Sequence, residues 1–383
     1  MSGPGKVIFA DQLRGIAVIM VLLAHWCGVY WYNKDVVSHY IHAPIEVIPA
    51  PLWLDYIVPP TFNYGTLGVA IFFLISGFVI PFSLKRSSPL GFLAARTLRI
   101  YPVYILGSAI MLLGVWGSSK YWGINYELDP FYVASNLLLV NNDFLQPTMD
   151  LINWTLAVEI KFYIACAILI AFIRSGNSTA LTVTSVLILA YCEWLPASYD
   201  SVSIAGGRQL SLSNLKWQLI LIVYMFIGTL FFYYHTNKIT ARQLFVHAGV
   251  LSIIFVTGIS HTSFMGVVTL YNFSYGLIIF GVAFKFRDLA RDNLILDIMA
   301  KLSFPIYATH SILGYAIIRF LTSQGVPPEP SLLITLTAIL LLAYILHITV
   351  EKPSIKIGKN VSRILTKEPL SEKGPPISMQ NQA

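Results

Sequence analysis

The sequence predicts an all-α, polytopic integral membrane protein with about ten transmembrane helices. Of its 383 residues, 56% are hydrophobic and only 11% are charged, whereas about a quarter of the residues of a soluble domain are charged. The apolar residues gather in segments of about 20, the length that an α-helix needs to cross the hydrocarbon core. The chain is therefore expected to fold in lipid rather than in water.

Each segment is predicted to be a helix, because every backbone N–H and C=O inside the hydrocarbon must be paired within the protein. Pro, Gly and charged clusters separate the segments. We place the spans near residues 12–31, 65–84, 100–117, 153–174, 179–197, 216–234, 244–260, 264–284, 302–322 and 331–351. The first apolar run continues to about Trp31 with no small-residue cleavage site after it, so we expect a span rather than a removable signal.

The distribution of charge predicts the topology. With the N-terminus inside, most of the 25 Lys and Arg residues fall on the inner side, which places both termini in the cytoplasm. Residues 1–365 form the predicted transmembrane domain, and the polar, Pro-rich segment 366–383 is predicted to be a disordered cytoplasmic tail. The two long outer loops, 32–64 and 118–152, are rich in aromatic residues and are interpreted as an outer lid.

Several functional classes lack their sequence signatures. Cys27, Cys166 and Cys192 lie in or near apolar segments without metal-like spacing, so we expect neither a disulfide nor a bound metal. The net charge of +7 is interpreted as a topology signal, because no basic patch alternates with stacking aromatics as in nucleic-acid binding. Neither a G-x-S-x-G elbow nor a P-loop occurs in the sequence.

The first predicted span carries two ionisable residues, Arg14 and His25. At 100° per residue they lie about 20° apart on one helical face and about 16 Å apart along the axis. Such residues at bilayer depth are candidates for function because they are costly to bury. Arg14 could bind an anionic group at the inner mouth while His25 acts as a base. The alternative is an Arg that snorkels to the interface and a His that bonds a neighbouring helix.

Two further ionisable residues lie in later spans. Glu159 is predicted about 7 Å below Trp154 in the fourth span, where its carboxylate could orient a His, pair with an Arg or simply join two helices. His310 is predicted about 13 Å in from Lys301 in the ninth span, where it could act in catalysis or only hold helices together.

Polar groups in and after the second span complete the candidates. Ser76 precedes a glycine, which is typical of a close helix contact with a hydroxyl nearby. The cluster of Lys85, Arg86, Arg96 and Arg99 is predicted to lie in the loop before the third span. A cluster of this kind determines topology, contacts lipid head groups or binds an anionic substrate.

These residues together resemble the acyltransferase-3 family of membrane acyltransferases that modify cell-surface sugars and some secondary metabolites. The resemblance covers nearly all predicted helices. It rests on Arg14-Gly15-Ile16-Ala17 with His25, Gly68 through Ser76-Gly77-Phe78, Arg96-x-x-Arg99 before Tyr101-Pro102, Trp154-Thr155-Leu156-x-x-Glu159-x-x-Phe162-Tyr163, Pro305-x-Tyr307-x-x-His310 and Glu351-Lys352-Pro353. The sequence departs from the family at Thr155, where Ser is usual, and at Ile160, where a second acidic residue is common.

The resemblance implies an O-acetyltransferase of a bacterial inner membrane that uses acyl-CoA, most simply acetyl-CoA, as co-substrate and has no bound cofactor. It implies that Arg14, Arg96 and Arg99 bind the CoA phosphates. The pantetheine arm would then extend towards His25. His25, His310 and Glu159 are the expected catalytic residues, and Ser76, Lys85 and Arg86 are expected to help bind the donor.

The implied acceptor is a hydroxyl of a cell-surface glycan or of its lipid-linked precursor, reached from the outer side among membrane lipids. A secondary metabolite such as a macrolide sugar is an alternative acceptor. A proton-coupled transporter or a lipid-linked sugar flippase is an alternative of another class, because transporters also bury Arg, His and Glu. The two halves of the sequence show no matching motifs, which argues against the transporter.

Overall fold

The computed structural model describes residues 7–58, 63–194, 201–204, 208–262 and 266–366, and these are almost entirely helical. In the first part of the chain the helices are α1 (Ile8–Leu23), α2 (Tyr30–Tyr32), α3 (Lys34–Ile41), α4 (Leu54–Ile57), α5 (Tyr64–Leu84), α6 (Pro89–Trp122), α7 (Pro130–Leu137), α8 (Asn153–Ile168) and α9 (Ile170–Ser175). They are followed by α10 (Ser178–Trp194), α11 (Leu212–His235), α12 (Ala241–Ser260), α13 (Gly266–Lys285), α14 (Leu294–Lys301), α15 (Ser303–Thr309), α16 (Ile312–Ser323), α17 (Pro328–Leu346) and α18 (Lys352–Thr366).

The chain is a multi-pass membrane protein. Within the described ranges, seven continuous helical stretches are long and apolar enough to cross a bilayer. They are Ile8–Tyr32, Tyr64–Leu84, Pro89–Trp122, Leu212–His235, Ala241–Ser260, Gly266–Lys285 and Pro328–Thr366. The prediction of an all-α membrane protein is confirmed. The count of ten spans stays a prediction.

The three other predicted spans are short or interrupted. The segment 179–197 corresponds to α10, which ends at Trp194. The segment 153–174 is divided at Leu169 into α8 and α9, and the segment 302–322 is divided at residues 310–311 into α15 and α16. At the second break the Ser311 hydroxyl donates to the backbone oxygen of Asp150 at 2.7 Å, so side chains supply hydrogen bonds where the helix is broken.

We call the end of the bundle that holds the start of α1, the end of α5 and the start of α6 the basic end. The opposite end, which holds residues 33–58 and 123–152, is called the loop end. At the basic end α6 begins at Pro89, and the Ser88 hydroxyl accepts a hydrogen bond from the Gly91 amide at 3.1 Å, as is typical of a helix N-cap. Arg96 and Arg99 therefore lie on a helix, and their predicted placement in a loop was wrong.

The last helix also extends beyond its predicted end. Instead of ending near Glu351, α17 continues through a π-helical turn, His347–Glu351, into α18. The His347 Nδ1 and a Glu351 carboxylate oxygen are 2.6 Å apart inside this buried turn. Thr366, the first residue of the predicted disordered tail, is helical. Residues 367–383 lie outside the described part of the chain.

A small β-hairpin departs from the all-α prediction. Strand β1 (Ser201–Ile204) pairs antiparallel with β2 (Arg208–Ser211), and Ser201 lies opposite Ser211. The Ser211 amide donates to the backbone oxygen of Asp143 at 2.7 Å. The hairpin is thereby joined to the second long loop.

The long loops are ordered where they are described, and they contain α3, α4 and α7. Glu46 is buried and accepts hydrogen bonds from Thr322 at 2.5 Å and from Tyr30 at 3.0 Å, while Arg319 lies 3.7 Å away. Burial alone raises the pKa of Glu46, but the hydrogen bonds from Thr322 and the Ile48 amide and the charge of Arg319 outweigh it, so this pKa is lowered. An ionised Glu46 thus joins the first loop to Tyr30 of α2 and to α16.

The second loop is held by a buried polar network before α8. Asn153 donates to Asn136 at 2.7 Å and to Asn141 at 3.2 Å. Asp150 accepts the amides of Ile152 and Asn153, yet its burial dominates and raises the pKa of its carboxyl. Because these buried groups are hydrogen-bonded, the loop has one defined conformation above the bundle.

Helices α5 and α11 cross at glycines. A Cβ on Gly77 would overlap the backbone oxygen of Met225, and a Cβ on Gly228 would overlap that of Leu74. Small residues at such crossings let helix backbones approach closely in a membrane. The glycine of the Ser76-Gly77-Phe78 motif is therefore required for packing.

We expect Gly77→Ala to destabilise the protein by about 1–3 kcal/mol, because the added methyl group must displace the backbone of α11. The measurement is the thermal unfolding midpoint of the purified protein in detergent. Gly281→Ala is the control, since no atom lies within 4 Å of a Cβ built on Gly281, and it should not lower the midpoint. Equal midpoints for the Gly77→Ala variant and the unmodified protein would contradict this account of the crossing.

Candidate functional site

A cavity lies where α1, α5, α6, α8 and α15 meet. Its empty volume, including the part that is open to the surroundings, is about 830 Å³. Arg14, Arg96, Arg99 and Glu159 supply its charged groups, and Ser76 supplies a hydroxyl. Three guanidinium groups against one carboxylate give the cavity an excess of positive charge, so it can bind an anionic group.

Glu159 is held in the cavity wall by two hydroxyl donors. The Ser76 hydroxyl donates to a Glu159 carboxylate oxygen at 3.2 Å, and the Tyr163 hydroxyl donates to the same oxygen at 2.5 Å. Tyr163 is one helical turn after Glu159 on α8, so the two side chains share a face. The Glu159 carboxylate is thus positioned by the neighbouring helix α5 and by its own helix.

Arg14, which also lines the cavity, pairs with Asp11 on its own helix α1 at 3.1 Å.

The Ser76-Gly77-Phe78 motif serves three different contacts. Ser76 faces the cavity, Gly77 lies at the crossing with α11, and Phe78 packs edge-to-face on Phe9 with ring centroids 5.4 Å apart. Successive residues of a helix point about 100° apart, so one motif can reach three neighbours. This explains why a small residue and a hydroxyl are adjacent here.

His25 lies in a π-helical turn, Ala24–Val29, that follows α1. Its Nδ1 is 2.5 Å from the hydroxyl oxygen of Tyr315 on α16. Its ring lies edge-to-face with that of His310, with centroids 4.8 Å apart. π-Helical turns are frequent at functional sites, and this one brings His25 between two residues of the broken α15–α16 segment.

His310 is fully buried, and the tautomer of its neutral ring can be assigned from its contacts. Its Nδ1 is 3.1 Å from the backbone oxygen of Ile306 and 3.0 Å from that of Tyr307. Carbonyl oxygens only accept hydrogen bonds, so Nδ1 carries the proton and Nε2 has a free lone pair. Among the residues that the structure describes, this buried Nε2 has no hydrogen-bond partner. An unsatisfied buried acceptor of this kind is a candidate to bind an incoming donor.

Tyr307 connects the cavity with the two histidines. Its side chain lines the cavity, its hydroxyl is 2.7 Å from the Thr155 hydroxyl, and its ring centroid is 5.7 Å from that of His310. His25 and His310 are not part of the described cavity wall. They lie behind Tyr307, towards the loop end.

The structure therefore arranges the predicted residues in two groups. Arg14, Ser76, Arg96, Arg99 and Glu159 line one cavity, and His25 and His310 form the second group. Among the described residues, the hydrogen bonds of Glu159 go to Ser76 and Tyr163, and none goes to a histidine.

The two remaining predicted residues lie outside the cavity wall. The Lys85 ammonium lies over the Phe82 ring, 5.5 Å from its centroid. Arg86 lines a groove at the basic end that also contains Arg96 and Arg99.

Five further residues at these sites did not emerge as candidates from the sequence. Tyr163 and Tyr307 stand inside the motifs that carried the family resemblance, so their positions were a usable signal. Tyr315 has no such signal, since only the fold brings it to His25. Lys359 and Arg363 line the groove with Arg86. In the sequence they could not be distinguished from the basic residues that commonly follow the last span of a membrane protein on the inner side.

Comparison with known proteins agrees with the family resemblance. Nodulation protein 10 of Rhizobium leguminosarum bv. viciae is 31% identical over 156 residues, which are 37% of this chain and 42% of that protein. Exopolysaccharide production protein ExoZ of Rhizobium meliloti (strain 1021) is 33% identical over 138 residues, 34% of this chain and 41% of that protein. The chain thus matches less than half the length of either relative.

No solved structure matches the chain. A family model described as an acyltransferase domain matches residues 7–348. This match extends from the first described helix to the end of α17 and includes the cavity and both histidines. The chain belongs to the acyltransferase-3 family.

Proposed function

We propose that this protein transfers an acetyl group from acetyl-CoA to a hydroxyl of a cell-surface glycan or of its lipid-linked precursor. The observation that carries the proposal is the cavity with three guanidinium groups, separated by one tyrosine ring from a pair of contacting histidines. An anion-binding cavity beside a potential base is what acyl transfer from a polyanionic thioester requires.

The topology follows from the same proposal. Acyl-CoA is cytosolic, so the basic end faces the cytoplasm and the loop end faces outward from the bacterial inner membrane. About ten spans then put both termini inside, in agreement with the positive-inside rule. The name of one relative, an exopolysaccharide production protein, supports a glycan as the acceptor.

In the donor half of the site, Arg14, Arg96 and Arg99 bind the phosphates of acetyl-CoA, with Lys85 and Arg86 nearer the aqueous entrance. Guanidinium groups suit this role because they bind phosphate oxygens through two parallel hydrogen bonds. Glu159 offsets part of their mutual repulsion and holds Ser76 and Tyr163 in place. The pantetheine arm then covers the distance of about 16 Å along the first span from Arg14 to His25.

Tyr307 separates the thioester from the histidines in the described conformation. Rotation of its ring away from Thr155 would join the cavity to the space beside His25. The acceptor reaches this space from the loop end, under the lid formed by residues 33–58 and 123–152. Donor and acceptor therefore enter from opposite sides of the membrane.

In the chemical step His25 is the general base. The step uses the tautomer in which Nδ1–H donates to the Tyr315 oxygen, 2.5 Å away, so that Nε2 is free to take the proton of the acceptor hydroxyl. The acceptor oxygen forms a bond to the thioester carbonyl carbon, and the carbon–sulfur bond breaks. The departing sulfur then takes the proton from His25, so the products are the acetyl ester and free CoA.

His310 holds the acceptor during this step. Its unpartnered Nε2 accepts a hydrogen bond from a hydroxyl of the acceptor, while its Nδ1–H stays bound to backbone oxygens. Tyr315 is a positioning residue, since it acts through His25.

A variant of His25 tests the proposed function itself. His25→Ala removes the base, and the loss of general-base catalysis is worth about 10²–10⁴-fold in rate. We expect the surface polysaccharide of the host to lose the mass of one acetyl group per modified sugar, as it does when the gene is deleted. The measurement is mass spectrometry of the glycan at matched membrane levels of the protein.

His247→Ala is the matched control. His247 lies on α12 and bonds Thr182 of α10 at 2.8 Å, away from the cavity, so acetylation should persist in this variant. Normal acetylation with His25→Ala would refute the proposed role of His25. Activity that depends on a pH gradient rather than on acetyl-CoA would support a transporter instead.

A variant of Tyr315 tests the positioning of His25. Tyr315→Phe removes the oxygen 2.5 Å from His25 Nδ1, and one such hydrogen bond is worth about 0.5–1.5 kcal/mol. We therefore expect kcat to fall by about two- to tenfold, while the KM for acetyl-CoA stays the same because Tyr315 is absent from the cavity wall. Steady-state kinetics in lipid nanodiscs measure both values.

A rise in KM with unchanged kcat would show that Tyr315 supports donor binding rather than the base. Tyr344→Phe is the control, since Tyr344 is exposed on α17. It should change neither constant.

A further inference from the structure

At the basic end a second groove is lined by α5, α6 and α18. Its empty volume is about 830 Å³. The groove adjoins the cavity of the proposed active site, because Arg96 and Arg99 line both. A molecule in the groove therefore lies beside two arginines that also face the cavity.

The described lining of the groove carries only positive charge. Among the described residues, its ionisable lining residues are Arg86, Arg96, Arg99, Lys359 and Arg363, and none is a carboxylate. In the part of the chain that the structure describes, none of the five forms an ion pair. Five neighbouring cations repel one another unless an anion lies between them. The groove thus has the electrostatic character of a polyanion site.

The wall that α18 contributes is fixed by close packing on α6. A Cβ on Gly91 would lie 2.8 Å from the backbone oxygen of Ser362, and one on Gly358 would lie 3.2 Å from that of Ala95. The Ser88 amide donates to the Thr366 hydroxyl at 3.0 Å. These contacts hold the helix that carries Lys359 and Arg363 in one position against α6.

Lys359 and Arg363 are one helical turn apart, so their side chains point to the same side of α18. Both are exposed, as is Arg86 across the groove. Arg96 is instead half-buried, with its guanidinium 5.6 Å from the Phe92 ring centroid. Exposed cations at the rim and half-buried ones at the base lead an anion inward from the aqueous phase.

Resting on the proposed function, we infer that this groove binds the phosphorylated nucleotide end of acyl-CoA and that Lys359 and Arg363 are its outer phosphate ligands. The diphosphate lies near Arg96 and Arg99, and the 3′-phosphate of the ribose lies between Arg86 and the two residues of α18. The last helix is thereby part of the donor site. An anionic phospholipid head group has similar chemistry. The nucleotide end of the donor, however, must lie next to the cavity that receives the rest of the molecule, and this groove does.

The test is the affinity for CoA of the full-length protein in phosphatidylcholine nanodiscs, measured by isothermal titration calorimetry. For Lys359→Gln with Arg363→Gln we expect the Kd of CoA to rise about 10–100-fold, since a hydrogen bond to a charged group is worth about 1.5–3 kcal/mol. The Kd of pantetheine, which has no phosphate, should be unchanged. Adenosine 3′,5′-bisphosphate should compete with CoA in the unmodified protein and lose affinity in the variant.

The control variant is Lys352→Gln with Lys285→Gln. It removes the same charge from the basic end, but neither residue lines the groove, so the Kd of CoA should be unchanged. Equal losses in both double variants would show a general charge effect and overturn the inference. An unchanged Kd in Lys359→Gln with Arg363→Gln would also overturn it. The melting temperature of each variant in nanodiscs checks that it folds. The single variant Lys359→Glu should also raise the Kd of CoA.

Three outcomes separate this inference from its alternatives. If phosphatidylglycerol binds the unmodified protein but not the variant, while the Kd of CoA is the same for both, the groove is a head-group site and the inference is wrong. If the unmodified protein binds no CoA at all, the proposed function fails. If the variant and the unmodified protein bind CoA with equal affinity, the proposed function stands and only the assignment of the groove as the nucleotide site is rejected.

Discussion

A charged side chain inside a membrane is costly unless it has a partner or faces a polar cavity, and the arrangement of this bundle follows from that cost. Arg14, Arg96, Arg99 and Glu159 come from three different helices and face one cavity. Towards the loop end, charged side chains instead form direct ion pairs, such as the 2.8 Å contact between Lys161 and Asp143. The helices are therefore packed so that an excess of positive charge is collected in one place, where an anionic ligand can neutralise it.

The interior helices are irregular where the histidines lie. The first span changes to a π-helical turn at His25, and the segment of His310 is broken between α15 and α16. Broken backbone is tolerated at membrane depth only where other groups supply its hydrogen bonds, and here the Ser311 hydroxyl and the His310 ring do so. The energetic cost of these irregularities is offset locally. They allow two rings from distant parts of the chain to touch.

The two ends of the bundle differ in chemistry. The basic end presents exposed Lys and Arg around a groove that adjoins the cavity. The loop end presents ordered loops held by a buried carboxylate at Glu46 and a buried amide network around Asn153. In the proposed function, the polyanionic donor enters at the first end and the hydroxyl-bearing acceptor enters at the second.

The sequence alone determined that the chain is a helical membrane protein, because apolar segment length and low charge are local properties. It also singled out Arg14, His25 and His310, because an ionisable residue in an apolar segment can be recognised without knowing its partners. The resemblance of the motifs identified the family before the structure was considered. The Ser76-Gly77-Phe78 motif was correctly interpreted as a close helix contact with a hydroxyl.

Only the tertiary structure decided which of these residues meet. The contacts of Tyr315 with His25 and of Ser76 with Glu159 join residues far apart in the chain, and helical periodicity predicts a face but not the neighbour that it contacts. Lys359 was indistinguishable from a topology signal until α18 was seen packed on α6. Periodicity and hydropathy report on one segment at a time, whereas a site is a property of how segments pack together.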